Sequence, residues 1–352
     1  MASPSVPSRR TVLAAALTTL VVMASGLVTR DTSSAAPGTR TLVVAGYTTP
    51  REVYNKEVFP AFKKYWQQKT GQEVKFEDSW QGSGAQSRAV IAGLEADVVV
   101  LSLDPDVEKL SKAGLITHDW RQQAVGGMVS RSVVALAVRK GNPKGIKDFS
   151  DLTKPGLNVL TPNVRTSGGA MWNVAAIYGS GLRGAGNGAD AATRADALLK
   201  GILTNVTIMD KGARESMITF ERGVGDVAIT YENEILTGRA TGQTYDMVIP
   251  PSTLLIENPA AVVDTYVDKH GSRDVAEAFV AFLTTRKVQE SFARAGYRSV
   301  DTAVQARYAA QFPQPTDLFT IKDLGGWPKV SKDYFGAGGV YDRVAGPAAE
   351  AR

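Results

Sequence analysis

The chain has 352 residues, of which 43% are hydrophobic and 21% are charged. It is too long for one small domain, and it holds enough apolar material for two lobes of ordinary size. The absence of cysteine excludes disulfides, thiolate metal sites, a cysteine nucleophile and a lipidated N-terminal cysteine. The two histidines, His118 and His270, are far apart in sequence. Neither has a second ligand or base at motif spacing, so we interpret both as surface residues and expect no metal or cofactor.

The formal net charge is +5, and +3 remains when residues 1–35, with three arginines and one aspartate, are set aside. A slight positive balance suits an anionic ligand, and it suits an ordinary basic surface equally well. The sequence has no dense run of lysine and arginine with interleaved aromatic residues. We therefore expect no nucleic-acid partner.

Residues 1–35 have the pattern of an export signal. Arg9 and Arg10 precede an almost wholly apolar stretch from Thr11 to Val28, and small residues follow at 33–36. The arginine pair is similar to a twin-arginine signal, with a Sec signal as the alternative. The apolar stretch is close to the roughly 18 residues that span a bilayer, so an uncleaved anchor is a second interpretation. We expect the protein to act outside the cytoplasmic membrane, with residues 36–40 as a linker.

Strands and helices are predicted to alternate in the first part of the chain. The strands are 42–45, 74–76 and 98–103, and the helices between them are 53–70 and 83–95. The last strand is a continuous apolar run, which is typical of a buried parallel strand. This order indicates an α/β fold with a mostly parallel sheet.

The same alternation continues to about residue 295. A glycine-rich loop is expected at 179–188, and a loose tail at 346–352. The predicted strands are 133–138, 157–160, 206–209, 227–230, 248–249 and 261–263, and the predicted helices are 149–152, 169–178, 191–203, 213–221, 275–283 and 287–295. Two α/β lobes in one exported chain predict a ligand cleft between them.

Three glycine-containing turns each follow a predicted strand and open a predicted helix: residues 81–85, 166–170 and 211–214. A helix start has unpaired N–H groups and a partial positive charge. Glycine lets a ligand approach the backbone closely, and serine or threonine adds a hydroxyl. One such turn can bind an anion, although a serine or glycine there is also an ordinary helix cap. Three turns that converge would surround a tetrahedral anion with neutral donors.

Motifs spread over residues 41–344 resemble the sulfate-binding proteins of bacterial ABC transporters. The likeness is sustained along the chain, which makes it more specific than any single glycine motif. It rests on segments that include Val138–Lys144, Lys154–Gly156, Thr161–Asn163, Ser167–Trp172, Phe220–Asp226 and Gly325–Trp327.

This resemblance implies a two-lobed periplasmic binding protein type II fold, α/β in class. Each lobe is a mixed sheet flanked by helices, with the ligand cleft between the lobes. The expected boundaries are 41–125 for the first part of lobe 1, 126–250 for lobe 2 and 251–345 for the second part of lobe 1. The resemblance implies a buried anion held by backbone N–H groups and neutral side chains. Its implied ligands are Ser83, Ser167, Gly168, Gly169 and Ala213.

Two positions depart from the family pattern. Tyr231 stands where the family commonly has tryptophan, and Thr48 stands where it commonly has aspartate. A tyrosine hydroxyl can accept a hydrogen bond as well as donate one. Tyr231 is therefore expected to relax the rejection of protonated anions, and Thr48 cannot supply a carboxylate charge.

Three further groups of residues stand near these motifs in sequence. Trp172 is interpreted as a packing residue, and Arg214 either steadies the third turn or is a solvated surface residue. Glu232 and Glu234 lie two residues apart, which on a strand would place both on one face and suggest acid–base chemistry. They lack a partner nucleophile, histidine or metal set, so we expect a binding protein and not an enzyme.

The expected function is that of a monomeric receptor that delivers sulfate, or thiosulfate, to a membrane ABC permease. The alternatives are a receptor for phosphate, molybdate or tungstate, an anion-handling enzyme on the same fold, and a surface sensor without transport.

Overall fold

A computed structural model of the protein describes residues 38–184 and 190–345. The predicted export signal and the predicted tail lie outside these residues. Within the predicted linker, Gly38 and Thr39 precede the first strand, which begins at Arg40. Among the described residues, no helix has both the length and the apolar character needed to cross a membrane.

The described part of the chain contains ten β-strands. They are β1 Arg40–Tyr47, β2 Val74–Gln81, β3 Val98–Val100, β4 Met128–Val138, β5 Val159–Pro162, β6 Val206–Asp210, β7 Val227–Tyr231, β8 Asp246–Val248, β9 Ser252–Val262 and β10 Asp317–Phe319.

The α-helices flank these strands. They are α1 Arg51–Val53, α2 Phe59–Thr70, α3 Ser83–Ile91, α4 Asp104–Lys112, α5 Gly168–Gly184, α6 Ala191–Thr204, α7 Ala213–Glu221, α8 Glu232–Ala240, α9 Asp264–His270, α10 Arg273–Leu283, α11 Arg286–Arg294, α12 Thr302–Arg307, α13 Gly326–Phe335 and α14 Val340–Ala345. A π-helical turn, Tyr54–Val58, joins α1 to α2, and Phe149–Thr153 is the predicted short helical turn.

The sheet has the order β2-β1-β3-β9-β4-β7-β5-β6, with β10 beside β9 and β8 beside β4. Parallel pairs lie at both ends: β1 pairs with β2 and β3, and β5 pairs with β6 and β7. The long strands β4 and β9 run antiparallel to each other in the middle. The sheet is therefore mixed, as the resemblance implies. The first expectation of a mostly parallel sheet missed the central antiparallel strands.

Strands β4 and β9 carry the chain between the two ends of the sheet. The second half of β4 pairs with β7, while the last residues of β9 pair with β3. The chain passes between the two ends of the sheet within residues 128–138 and 252–262, which lie close to the predicted lobe boundaries. The lobe boundaries themselves stay a prediction.

The predicted glycine-rich loop is wrong for residues 179–184, because these residues continue helix α5. A Cβ atom on Gly179 would lie 2.5 Å from Cε2 of Phe319, and one on Gly181 would lie 2.8 Å from Cα of Ala195. The glycines are needed there because α5 packs closely on its neighbours, and the tertiary packing overrides their weak helix propensity.

Candidate anion-binding site

The three glycine-containing turns are helix starts, as predicted. Gly82 is the N-cap of α3, α5 begins at Gly168, and Gly212 is the N-cap of α7. Turns one and three follow strands β2 and β6, which end at Gln81 and Asp210. The first N–H groups of each helix have no acceptor within their own helix.

The structure brings the three turns together, with Gly82 at their meeting point. A Cβ atom on Gly82 would lie 2.5 Å from the carbonyl oxygen of Thr166 and 2.7 Å from that of Lys211. The Ala85 N–H donates to the Thr166 carbonyl at 3.3 Å. The Thr166 hydroxyl donates to the Lys211 carbonyl at 2.9 Å. Segments more than 40 residues apart in sequence are thus in direct contact where the three helices begin.

Ser83, the first residue of α3, is 1% exposed. Its hydroxyl donates to Oδ2 of Asp106 at 2.7 Å and accepts the Ser102 N–H at 2.9 Å. Lys109 holds the other Asp106 oxygen at 2.8 Å. The hydroxyl proton of Ser83 is therefore committed to the carboxylate, and the group that Ser83 can offer an anion is its backbone N–H.

The second turn excludes side chains at two consecutive glycines. A Cβ atom on Gly168 would lie 2.6 Å from the Ser102 hydroxyl oxygen. One on Gly169 would lie 3.0 Å from Cε2 of Tyr231 and 3.1 Å from Cβ of Ala213. The backbone N–H of Ser167 donates to the Asn163 carbonyl at 2.9 Å. Its buried hydroxyl is therefore the donor that Ser167 can turn towards a ligand.

Tyr231 is the last residue of β7 and is 1% exposed. Its hydroxyl oxygen lies 2.7 Å from the Ser102 hydroxyl oxygen. Burial raises the pKa of Tyr231 well above its usual value, with the nearby Glu234 and Asp106 carboxylates adding to the effect. The hydroxyl is therefore protonated at every physiological pH.

Thr48 lies beside the third turn. A Cβ atom on Gly212 would approach the Thr48 hydroxyl oxygen to 3.0 Å, and its closer neighbour would be Oε2 of Glu215 at 2.4 Å. Thr48 is half-buried and directly follows β1. All seven predicted site residues thus lie on, or in contact with, the three turns or Ser102: Thr48, Ser83, Ser167, Gly168, Gly169, Ala213 and Tyr231.

Arg214 follows Ala213 and is not a solvated surface residue. Its guanidinium contacts the Glu221 and Glu234 carboxylates, each at 3.2 Å, and its side chain is 24% exposed. Burial raises the pKa of Glu234 to about 7, although Arg214 and the Thr49 hydroxyl favour the ionised form. The arginine joins the third turn to helix α8 through Glu234 and to the end of its own helix α7 through Glu221.

The suggestion that Glu232 and Glu234 share one face of a strand is wrong, because both lie in the first turn of α8. Glu232 forms a fully buried two-point contact with Arg298, at 2.6 and 3.0 Å, while Glu234 pairs with Arg214. Each carboxylate is therefore paired with a different arginine. They do not form an acid–base pair.

Two residues of the site were missed by sequence reasoning: Ser102 and Asp106. Ser102 follows β3 and Asp106 lies in the first turn of α4, a helix that was not predicted. The Asp-Pro-Asp sequence at 104–106 is a helix-start signal that could have revealed it. Trp172 packs against Trp327 with ring centroids 4.9 Å apart, which confirms its packing role, and its indole N–H also reaches Ser102.

The two histidines are partly exposed, and each contacts carboxylates. His118 contacts Asp264 at 2.7 Å, and His270 contacts Asp97 at 2.9 Å and Glu95 at 3.1 Å. Within residues 38–184 and 190–345, no group of three or more histidine, cysteine, aspartate or glutamate side chains could hold a metal ion.

An α/β fold whose buried polar centre is made of neutral donors at helix starts is typical of a ligand-binding protein. The profile of the family described as bacterial extracellular solute-binding protein matches residues 42–298. The chain belongs to this family. The prediction of a binding protein rather than an enzyme is confirmed by this membership.

Similar proteins span nearly the whole chain. The sulfate-binding protein of Synechococcus elongatus is 43% identical over 332 residues, which cover 94% of this chain and 93% of that protein. The thiosulfate-binding protein of Pseudomonas aeruginosa is 34% identical over 332 residues, covering 93% and 97%. The solved structure of the sulfate-binding protein SubI from Mycobacterium tuberculosis matches with a TM-score of 0.78 at 37% identity, covering 84% and 99%. The two-lobed binding-protein fold is confirmed by this match.

Proposed function

We propose that the protein captures sulfate, and thiosulfate as a related ligand, and delivers it to the permease of an ABC importer. The observation that carries the proposal is the meeting of three helix starts at Gly82. The names of the similar proteins support sulfate as the anion. The thiosulfate-binding relative supports a second ligand of the same shape and charge.

The proposed ligand groups are the backbone N–H groups of Ser83, Gly168, Gly169 and Ala213, with the hydroxyls of Ser167 and Tyr231. Thr48 borders the site. Each hydrogen bond to an ionised acceptor contributes roughly 1.5–3 kcal/mol. Several together can reach the roughly 8 kcal/mol that corresponds to micromolar binding. No cation needs to touch the anion, because three helix starts face it with positive dipole ends.

Ligand capture in this proposal is a hinge closure between lobes. Ser83 comes from the first lobe, and Ser167–Gly169 with Ala213 come from the second. An anion that contacts both lobes stabilises the closed form by its differential affinity for it. The permease then recognises that form.

The deciding experiment is calorimetric titration of the purified protein with sulfate. We expect dissociation constants in the micromolar range or below for sulfate. No heat of binding at millimolar sulfate would overturn the proposal. Parallel titrations with phosphate, molybdate and tungstate test the other oxyanions, and a tighter complex with one of them would replace sulfate as the ligand.

Transport requires the proposed permease partner. Vesicles reconstituted with a sulfate ABC permease and its ATPase should hydrolyse ATP faster when the protein and sulfate are both added. If protein and sulfate together do not stimulate ATP hydrolysis, the sensor alternative is favoured.

In the same proposal residues 1–35 export the protein, which acts as a monomer. Mass determination of the secreted form shows whether the signal is removed or retained as an anchor, and sedimentation shows the oligomeric state.

A further inference from the structure

Ser102 makes five hydrogen bonds at the centre of the site. Its backbone N–H donates to the Ser83 hydroxyl at 2.9 Å. Its carbonyl accepts the Asn258 side-chain amide at 3.0 Å and the Trp172 indole at 3.0 Å. Its hydroxyl oxygen lies 3.1 Å from the same indole nitrogen and 2.7 Å from the Tyr231 hydroxyl. Rotation of the Ser102 side chain would therefore break both buried hydrogen bonds of its hydroxyl.

The direction of these bonds follows from the chemistry of the three side chains. An indole N–H can only donate, so it fills one acceptor position of the Ser102 hydroxyl. The Ser102 proton then has the Tyr231 oxygen as its acceptor at 2.7 Å. In the reverse arrangement Ser102 would accept twice, and its own proton would have no acceptor among the described contacts. The first arrangement leaves the Tyr231 proton for a bound anion, so that every proton has an acceptor once the ligand is in place.

The consequence is a hydrogen-bond relay from Trp172 through Ser102 to Tyr231. Ser102 occupies the accepting lone pair of the Tyr231 oxygen, which leaves Tyr231 with its proton. In the described part of the chain that hydroxyl has no other partner. Its ring edge approaches Gly169 closely, which places it at the second turn. Tyr231 thus presents a donor only.

We propose that Ser102 is a specificity-determining residue, which converts Tyr231 from an ambivalent hydroxyl into a dedicated donor; this inference rests on the proposed function. A site of donors alone binds a fully ionised oxyanion with every bond satisfied. An anion that keeps a proton, such as hydrogen phosphate, would turn that proton towards a donor and leave both unsatisfied. Tyr231 therefore does not relax the rejection of protonated anions while Ser102 holds it.

The test compares sulfate, selenate and phosphate by calorimetry at pH 8, where phosphate still carries one proton. For Ser102→Ala we expect the ratio of phosphate to sulfate affinity to rise about tenfold or more, because the Tyr231 oxygen regains an accepting lone pair. The ratio of selenate to sulfate affinity should stay within about twofold, since neither anion carries a proton. Tyr231→Phe removes the hydroxyl altogether and should weaken sulfate binding about tenfold to a hundredfold.

The double variant is the matched control. On the Tyr231→Phe background, Ser102→Ala should not change the phosphate-to-sulfate ratio further, because there is no hydroxyl left to orient. If Ser102→Ala does not fold, Trp172→Phe removes the first donor of the relay and should shift the ratio in the same direction.

The outcomes separate this inference from the proposed function. Wild-type protein that binds sulfate, with a Ser102→Ala ratio equal to that of wild type, would overturn the inference and leave the function standing. A Ser102→Ala shift that persists unchanged on the Tyr231→Phe background would also overturn it. Wild-type protein that binds no sulfate would overturn the proposed function and this inference with it.

Discussion

The α-carbon of Gly82 faces the carbonyl oxygen of Thr166 so closely that a Cβ atom there would lie 2.5 Å from it. The two residues belong to different turns, and in the proposed domain division they belong to different lobes. Gly82 has φ −55° and ψ 138°, an extended conformation that alanine also adopts. The glycine is therefore required by the contact and not by its backbone angles.

The first prediction concerns Gly82→Ala. The added methyl group would meet two backbone carbonyls, which cannot rotate away as a side chain can. We expect sulfate affinity to fall about tenfold or more, while the free energy of unfolding without sulfate changes by less than about 1 kcal/mol, because hinge opening in the proposed mechanism moves Gly82 away from these carbonyls. Calorimetry and urea unfolding measure the two effects.

Gly184→Ala is its control, since a Cβ atom at this exposed glycine would meet nothing within 4 Å. Its sulfate affinity should equal that of wild type. Equal affinity for Gly82→Ala as well would contradict the closed arrangement of the three turns.

The second prediction concerns Asp106, which accepts the Ser83 hydroxyl proton at 2.7 Å and is 1% exposed. Asp106→Ala leaves the buried hydroxyl without its acceptor and loosens the start of α3. We expect a loss of roughly 1–3 kcal/mol in the free energy of unfolding and a fall of about fivefold or more in sulfate affinity. Lys109→Ala removes the half-exposed cation from the same carboxylate and should cost less than about 1 kcal/mol. Equal losses for the two variants would contradict the role of the carboxylate.

The third prediction is a pH dependence from Glu234. Burial raises its pKa to about 7 in the folded protein, above its ordinary value near 4.5, so the folded state holds a proton that the unfolded state releases. The stabilising contribution is complete below about pH 4.5 and is lost as the pH rises through about 7. The charged or titratable groups close to it include Glu221, Arg214, Tyr231, Tyr245 and Tyr297.

Glu234→Gln removes this titration. The free energy of unfolding of the variant, relative to wild type, should increase between pH 5 and pH 8 by at most about 3 kcal/mol. Urea unfolding at a series of pH values measures the difference. Parallel stability curves for the two proteins would show that Glu234 does not titrate in this range.

The fourth prediction concerns the buried pair of Glu232 and Arg298, whose side chains are 0% and 4% exposed. Glu232→Ala leaves an arginine buried without its partner, and we expect a loss of about 3–5 kcal/mol in the free energy of unfolding. Asp274→Ala, which breaks the exposed contact with Arg40, should cost less than about 1 kcal/mol. Denaturant unfolding of both variants decides the point, and a small loss for Glu232→Ala would mean that Arg298 finds water or another acceptor.

Local patterns in the sequence predicted the helix starts at Ser83, Gly168 and Ala213 well, because a strand end, a glycine and a small polar residue are neighbours in sequence. The same reasoning failed at Gly179 and Gly181. The low helix propensity of glycine predicts a loop there, but α5 continues because it packs closely against Phe319 and Ala195. It failed again at Glu232 and Glu234, where a helix begins directly after a strand without a glycine or proline to mark the change.

The sequence by itself determined that this chain is an α/β protein with three glycine-containing turns at helix starts. The information lies in residue propensities, in the order of strands and helices, and in helix-capping chemistry. These features depend on residues within a few positions of one another. Only the tertiary structure decided that Ser102 stands between Trp172 and Tyr231, and that the Ser83 proton belongs to Asp106. These contacts join residues 23 to 129 positions apart, and the direction of a hydrogen bond depends on which donors and acceptors the fold brings within reach.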